Sequence, residues 1–263
     1  MKTEIAIITL NANSPEVQEL LGLLAEQKLE AKIVLGVDGR DCFPTLEDGE
    51  SIDRKRSLKM HQRELTKSEV GCYLSHFRTI KNAYNQGLER ICLLEDDVLI
   101  EPDFAEVLSS VGKLSDEFEH IRLMGLKRHK RKKICTVGRH HQLTRPTKGL
   151  CGTQGYVINR SGMEKVLQHG HTVLIPIDKF YDHFWDIGLK SYCIEPHTIL
   201  ERPFIKSSIV KIPRKDIRIN RLRKHFLKLY KGTKRRIYIL RYWNKFFPAV
   251  KPKIPMGRTV RIR

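Results

Sequence analysis

Three adjacent carboxylates, Glu95-Asp96-Asp97, are the most chemically distinctive feature of the sequence. They directly follow an apolar run at residues 91–94, which has the composition of a buried strand. Adjacent carboxylates repel one another and gain nothing from burial alone, whereas a divalent cation relieves the repulsion. Hard oxygen ligands suit Mg²⁺ or Mn²⁺, and such an ion neutralises a pyrophosphate leaving group. The alternative from the residues alone is an acidic turn whose carboxylates are merely solvated.

The elements around this acidic triplet are predicted to alternate between strands and helices. Residues 4–10 and 31–37 are predicted strands, and Ser14 followed by Pro15 predicts the start of the helix between them. Thr66-Lys67-Ser68-Glu69 has the capping-box spacing that begins another helix. The other predictions are strands at residues 90–94, 121–125, 150–158 and 191–194, helices at 102–111, from 159 and at 178–187, and loops at 41–59 and 127–133. An α/β fold places ligand sites at the carboxyl ends of its strands, which favours a binding role for the triplet.

Four separated blocks occur in an order and spacing that together resemble one family. They are residues 65–76, 94–98, 152–158 and 176–180, and the resemblance extends over residues 5–209. The family is glycosyltransferase family 25, the lipooligosaccharide-biosynthesis galactosyltransferase group, which is related to the procollagen galactosyltransferases. The resemblance implies a GT-A-like nucleotide-sugar-binding fold with a mostly parallel central sheet. It also implies inverting, Mn²⁺- or Mg²⁺-dependent transfer of a hexose, with galactose favoured, from a UDP-sugar to a lipooligosaccharide or lipopolysaccharide acceptor.

The resemblance assigns metal binding to the acidic triplet. In such motifs the first carboxylate, here Glu95, faces the ribose and the last, here Asp97, binds the metal. Asp96 could take either part, so all three are candidate ligands. His183 and His197 are candidates for a third metal ligand.

The resemblance also implies a set of residues that bind the sugar nucleotide. The predicted set is Thr9, Asn11, Asp38, Gly39, His76, Glu95, Asp96, Gly152 and Gln154. Asp38 precedes a glycine and could equally be a turn residue, and residues 9–11 lack the basic side chains expected after this strand. His76 could contact the donor phosphate or support the acidic triplet.

Inverting transfer needs a base that removes the proton of the acceptor hydroxyl. Asp178, in the block at residues 176–180, is the predicted catalytic base, with Asp182 and Glu195 as alternatives. A competing explanation makes Asp178 the N-cap of a helix that follows Pro176.

The positive charge is concentrated at one end of the chain. Of 49 Lys+Arg and 30 Asp+Glu, residues 206–263 contain 20 basic residues and one acid, whereas residues 1–205 contain 29 of each. We therefore predict a neutral glycosyltransferase domain at 1–205 and a basic amphipathic helical region at 206–263. Aromatic residues between its cations favour binding to an anionic inner membrane surface. A helical appendage packed on the body is the second interpretation, and nucleic-acid binding is the least favoured.

The distribution of cysteines and apolar residues predicts the cellular compartment. Six scattered cysteines match neither a zinc pattern nor a disulfide framework, which favours a reducing environment. No signal peptide and no run of 18 apolar residues is evident. We predict a cytoplasmic protein that binds peripherally to the inner face of the cytoplasmic membrane. The competing function is a cationic membrane- or nucleic-acid-binding protein whose acidic triplet is not catalytic.

Overall fold

The computed structural model describes residues 3–61, 63–127, 129–202 and 221–243. Within these residues the strands are β1 Glu4–Thr9, β2 Lys32–Leu35, β3 Ser51–Ile52, β4 Arg90–Glu95, β5 Val98–Ile100, β6 His120–Arg122, β7 Arg131–Val137, β8 His141–Pro146, β9 Gly155–Asn159, β10 Thr172–Val173, β11 Ser191–Glu195 and β12 Ile199–Glu201. The helices are α1 Pro15–Glu26, α2 Arg54–His61, α3 Lys67–Asn85, α4 Phe104–Gly112, α5 Arg160–Gly170, α6 Ile177–Asp182 and α7 Arg221–Tyr238, and a π-helical turn at Ile239–Trp243 follows α7. The predicted α/β class is confirmed.

Eight of these strands form one sheet in the order β2-β1-β4-β9-β6-β11-β8-β7. Six of them run in the same direction, whereas β9 and β8 run antiparallel to both of their neighbours. The prediction of a mostly parallel sheet therefore holds for strand direction. The sheet is nevertheless mixed. Strand β9 separates the parallel strands β2-β1-β4 from the parallel pair β6-β11, and β8 separates β11 from β7.

Both faces of the sheet are covered by helices. Along β1, Ala6 and Ile8 pack toward α3, α5 and α6, while Ile5 and Ile7 pack toward α1 and α4. The same alternation occurs along β4. A strand buried on both faces must be apolar throughout, which explains the continuous apolar runs that predicted these strands.

The two predicted helix starts form as expected. Ser14 Oγ accepts a hydrogen bond from the Val17 amide at 3.3 Å. Thr66 Oγ1 accepts from the Glu69 amide at 3.1 Å, and the Glu69 carboxylate accepts from the Thr66 amide at 2.9 Å. The reciprocal pair satisfies two amides that the helix itself leaves unbonded and fixes where α3 begins.

Several segments differ from the prediction: the strand predicted at 150–158 begins only at Gly155, and β5, β8, β10 and β12 were not predicted. The predicted loop at 41–59 contains β3 and the first residues of α2. The predicted loop at 127–133 includes the start of β7, which forms an antiparallel hairpin with β8 at the sheet edge. Its cationic, partly exposed side chains hide the alternation that identifies a strand. The helix predicted at 178–187 ends at Asp182.

Helix α7 is the described part of the basic C-terminal region, and one of its faces packs on the body. Lys234 Nζ lies 2.5 Å from Asp186 Oδ1, and the Tyr238 and Phe184 ring centroids are 6.0 Å apart. The predicted boundary between residues 205 and 206 lies outside the described residues. None of the described helices combines the length and apolarity needed to cross a bilayer. The six cysteines are free thiols.

Replacing Thr66 tests how much the capping box contributes. Thr66→Ala removes the side-chain acceptor for the Glu69 amide, and such a loss costs about 1 kcal/mol of unfolding free energy. The measurement is equilibrium urea unfolding. Thr66→Ser, which keeps the hydroxyl, is the matched control and should retain most of the stability. Equal stability of the wild type and Thr66→Ala would contradict the assignment.

Candidate active site

The acidic triplet lies at the carboxyl end of β4 and forms one wall of a cleft of about 380 Å³. The other walls come from the end of β1, the segment after β2 and the first turns of α3. Gly71 of α3 packs so closely on this segment that a Cβ there would lie 2.6 Å from the Val37 carbonyl oxygen. Only glycine permits this approach, which brings α3 against the cleft.

Glu95 is held by hydrogen bonds from two sides. His76 Nε2 lies 3.3 Å from Glu95 Oε1, and Thr153 Oγ1 donates to the same oxygen at 2.6 Å. His76 Nδ1 contacts the Tyr156 hydroxyl at 3.0 Å, which fixes the imidazole in the core. Burial alone would raise the pKa of Glu95, but the hydrogen bonds from His76 and Thr153 lower it below its ordinary value. His76 therefore supports the triplet, which is one of the two contacts considered for it.

Asp96 is tied to the first strand. Thr9 Oγ1, at the end of β1, donates to Asp96 Oδ2 at 2.5 Å. Burial raises the pKa of Asp96, and the hydrogen bond from Thr9 offsets part of that effect. The contact joins the ends of two neighbouring parallel strands, as expected for a site at the carboxyl edge of an α/β sheet.

Asp97 has an unsatisfied oxygen. Its Oδ1 is buried and accepts no hydrogen bond within the described residues. Burial, together with the carboxylates of Glu95, Asp96 and Glu201, raises the pKa of Asp97 to about 7. A divalent cation would satisfy this oxygen and relieve the repulsion, so the residues fit a Mg²⁺ or Mn²⁺ site. Glu95, Asp96 and Asp97 therefore stay the predicted ligands, and Glu201 adds a fourth negative charge near Asp97.

Glu201 is the acidic residue that sequence reasoning missed. It is the last residue of the short strand β12, which reaches the triplet by pairing with β5. Gln154 Nε2 donates to Glu201 Oε1 at 3.0 Å. An isolated glutamate carries no local signal, because the register of β12 on β5 alone brings it beside Asp97.

The structure brings most of the predicted donor-binding residues together. Those that line the cleft are Thr9, Asn11, Gly39, His76, Glu95 and Asp96, and the predicted metal ligand Asp97 lines it with them. Asp38 does not line it, because its exposed carboxylate forms an ion pair with Arg40 at 2.6 Å. Arg40 itself does line the cleft. Residues 9–11 lack the basic side chains expected after β1, and Arg40, in the segment after β2, places a basic side chain on the cleft wall instead.

Gly152 and Gln154 lie behind the triplet rather than on the cleft wall. The Glu95 amide donates to the Gln154 carbonyl at 2.8 Å. Gly152 has a φ of +80°, a backbone conformation that residues other than glycine rarely adopt. Its carbonyl oxygen accepts a hydrogen bond from Arg122 at 2.8 Å. The predicted direct donor contact of these two residues remains a prediction, while their observed contacts support Glu95 and Glu201.

Asp178 lies beside Cys151, which is in the same segment as Gly152 and Gln154. Its carboxylate is within 4.8 Å of Cys151 Sγ and 3.4 Å from Lys179 Nζ. Burial raises the pKa of the cleft-lining Cys72 thiol, with further contributions from Glu95 and Asp178, so both carboxylates are near that wall. The helix begins after Pro176 without a side-chain cap, so Asp178 is not the N-cap.

The two alternative bases are buried in ion pairs. Asp182 accepts from Arg122 at 3.1 Å and from the Cys151 amide at 3.0 Å. Glu195 is completely buried, with Arg131 at 2.8 Å and His197 at 3.0 Å. Both carboxylates have buried structural partners, and their role as alternative bases stays a prediction.

Neither histidine proposed as a third metal ligand contacts the triplet in the described residues. His183 packs on Trp185, with 5.2 Å between ring centroids, and burial and Lys231 of α7 lower its pKa to about 4. His197 pairs with the buried Glu195. These two predictions were wrong, because sequence spacing gave no information about which loops return to the triplet.

Comparisons with known proteins agree with the site. A family profile described as "Glycosyltransferase family 25 (LPS biosynthesis protein)" matches residues 3–181. Human "Procollagen galactosyltransferase 2" is 28% identical over 193 residues, which cover 67% of this chain and 29% of the relative. Rat "Probable inactive glycosyltransferase 25 family member 3" is 32% identical over 107 residues, 40% of this chain and 19% of the relative. The chain thus corresponds to less than a third of each relative's length.

The solved structure of "A197 from STIV" has 12% sequence identity to the chain and a TM-score of 0.44, and the alignment covers 78% of this chain and 87% of that protein.

Removing the charge of Asp97 tests whether the triplet binds a divalent cation. Asp97→Asn should abolish Mn²⁺ binding, and Glu201→Gln should weaken it, because both remove a carboxylate from the same oxygen cluster. Free Mn²⁺ measured by electron paramagnetic resonance gives the affinity without any turnover.

The control for this measurement is Asp116→Asn, a change to an 89% exposed carboxylate. Since burial and repulsion penalise ionised Asp97, Asp97→Asn should be at least as stable as the wild type. Unchanged Mn²⁺ affinity in a folded Asp97→Asn variant would eliminate the metal assignment.

Proposed function

The chain belongs to glycosyltransferase family 25, and from this premise we propose that it transfers a hexose from a UDP-sugar to a lipooligosaccharide or lipopolysaccharide acceptor. Galactose is the proposed sugar, and the proposed transfer inverts the configuration at the anomeric carbon. The observation that carries the proposal is a cleft with a crowded acidic wall whose Asp97 oxygen lacks a partner. The names of the galactosyltransferase relatives support the choice of sugar.

The donor side of the proposed site is the cleft itself. The acidic triplet, Glu95, Asp96 and Asp97, would hold Mn²⁺ or Mg²⁺, with the Glu201 carboxylate near Asp97, and the ion would neutralise the diphosphate of the donor. Arg40 lines the same cleft and supplies a positive charge for the diphosphate. Thr9 and His76 act indirectly, since each holds one carboxylate of the triplet in position.

The acceptor side is the surface around Asp178. In the proposed reaction the Asp178 carboxylate removes the proton of the acceptor hydroxyl. The hydroxyl oxygen then bonds to the anomeric carbon on the face opposite UDP, and UDP leaves with the bonding electrons. Lys179 contacts Asp178, Cys151 and Asp182, and this network fixes the carboxylate relative to the segment that holds Glu95.

A panel of UDP-sugars tests the proposal, because family membership alone does not guarantee catalysis: one relative is named as probably inactive. We expect Mn²⁺-dependent UDP release with UDP-galactose in the presence of a deacylated lipooligosaccharide. Asp178→Asn should lower turnover by about 10²–10⁴-fold while leaving UDP affinity unchanged, because general-base assistance has this magnitude.

Asp48→Asn, a change to an exposed acidic turn, is the control for Asp178→Asn. Full turnover by Asp178→Asn would exclude this residue as the base. The absence of transfer with every UDP-sugar, despite Mn²⁺ binding, would favour the competing function of a membrane- or nucleic-acid-binding protein with a non-catalytic triplet.

We further propose that the protein acts in the cytoplasm at the inner membrane surface, where α7 binds anionic lipid. One face of α7 contacts the body through Lys234 and Tyr238, so the packed-appendage interpretation applies to that face. Elsewhere on α7, Phe226, Tyr230 and Ile237 are 68%, 64% and 44% exposed. Their spacing of four and seven residues aligns them on one side of the helix. An exposed apolar stripe flanked by cations is the arrangement that binds a lipid interface.

Polar substitutions on this stripe test the membrane proposal in the full chain. Phe226→Ser combined with Tyr230→Ser and Ile237→Ser should weaken binding to vesicles containing phosphatidylglycerol, because apolar insertion is lost. Each nearby Lys or Arg still contributes roughly 1 kcal/mol at low salt, so the loss should be clearest in high salt. Vesicle co-sedimentation measures both conditions.

The matched control changes three exposed apolar residues elsewhere, namely Ile33, Leu35 and Leu46, to serine. Transfer to a soluble oligosaccharide should be unaffected by the α7 substitutions. Equal sedimentation of the wild type and the α7 variant would rule out α7 as the membrane contact.

A further inference from the structure

The segment beside the acceptor side of the site contains basic residues but no acidic ones. Residues 120–163 contain 11 Lys+Arg and no Asp or Glu, although residues 1–205 as a whole are neutral. Several of these cations are buried with structural partners, as Arg122 is with Asp182 and Arg131 with Glu195. The exposed ones at the open end of the β7–β8 hairpin are Lys127, Lys130 and Lys148, and with the half-buried His129 they form what we term the cationic rim.

Backbone contacts hold the cationic rim together. The Lys127 amide donates to the Leu150 carbonyl at 2.9 Å, and the Thr147 amide donates to the Lys130 carbonyl at 3.0 Å. Lys127 and Lys148 are also near His129, since burial and these two cations lower the His129 pKa. The rim is thus a surface built by the two strand ends of one hairpin.

The cationic rim adjoins the proposed base. Gly149, next to Lys148, packs so closely on the Asp182 side chain that a Cβ would overlap with it. Asp182 in turn lies 3.3 Å from Lys179 Nζ, which is 3.4 Å from Asp178. One chain of contacts therefore joins the cationic rim to the proposed base.

The rim lysines are not neutralised by the protein. Among the described residues, no carboxylate forms a salt bridge with Lys127, Lys130 or Lys148, whereas Arg139 at the opposite end of the hairpin pairs with Glu106. Three exposed ammonium groups at one strand edge repel one another, and an anion bound between them relieves that repulsion.

From these contacts we propose that the cationic rim is a binding site for an anionic substituent, a phosphate or a carboxylate, carried by the acceptor glycan. The inference rests on the proposed function and adds a substrate class to it. Three exposed ammonium groups at the end of one hairpin suit a single phosphate or carboxylate.

Binding of three forms of one soluble acceptor tests the proposal without turnover. The probes are a deacylated lipooligosaccharide with its phosphates, the same oligosaccharide after removal of phosphate with hydrofluoric acid, and a carboxyl-reduced form. Isothermal titration calorimetry with the full chain should show that wild type binds the phosphorylated, carboxylated form most tightly. The form whose modification weakens binding identifies phosphate or carboxylate as the recognised group.

The decisive variant combines Lys127→Gln, Lys130→Gln and Lys148→Gln. It should weaken binding of the anionic oligosaccharide by about tenfold or more, a difference of about 1.4 kcal/mol, and should lose the preference for the anionic form. The control removes the same number of charges from exposed lysines elsewhere, Lys55, Lys59 and Lys113, and should keep the preference. Thermal unfolding of both variants should match the wild type, because the changed side chains are exposed.

Three results would overturn the inference: wild type binds all forms equally or binds none, the rim variant keeps the preference, or the control variant loses it to the same extent. Failure of the proposed function has a different signature. In that case rim-dependent binding persists, but no UDP-sugar supports transfer to any of the three oligosaccharides.

Discussion

The crowding of four carboxylates at the end of β4 is the constraint on which the rest of the structure depends. Two like charges 4 Å apart repel by about 4 kcal/mol at an effective dielectric constant near 20. Glu95, Asp96 and Glu201 each receive a hydrogen bond from a different element. Asp97 keeps a buried oxygen without one, and its pKa rises to about 7 as a result of burial and its neighbours. The fold thus stabilises every carboxylate except the one left for a cation.

That constraint decides which elements must meet. Thr9 fixes the end of β1, His76 fixes α3, and Thr153 with Gln154 fixes the segment before β9. The same segment contains Cys151, whose amide donates to Asp182 on α6. The hydrogen bonds that position the acidic triplet therefore also set the distance between the triplet and Asp178, so the donor and acceptor sides are built as one unit.

Sequence reasoning succeeded where a local signal determines the structure. The caps at Ser14 and Thr66 and the apolar run of β4 are local, and each predicted an element correctly. It failed where partners come from distant parts of the chain. Glu201 reaches Asp97 only through the register of β12 on β5, and Asp38 turns toward Arg40 because an exposed aspartate pairs with the nearest cation. The β7 strand was missed because edge strands tolerate cationic side chains that mask the period of two.

Residues 1–205 are neutral in total, but their acidic and basic residues are unevenly distributed along the chain. The acidic triplet forms one wall of the cleft, whereas residues 120–163 contain 11 Lys+Arg and no acid. On α6, Asp178 is near the cleft-lining Cys72, and Asp182 contacts Gly149 beside the cationic rim. Phe184 and Asp186, just beyond α6, receive α7. The surfaces proposed to meet an anionic acceptor and an anionic membrane therefore adjoin the same short helix. A glycolipid held at the membrane would reach Asp178 from that side, while the donor occupies the acidic cleft, so the two substrates would approach through regions of opposite charge.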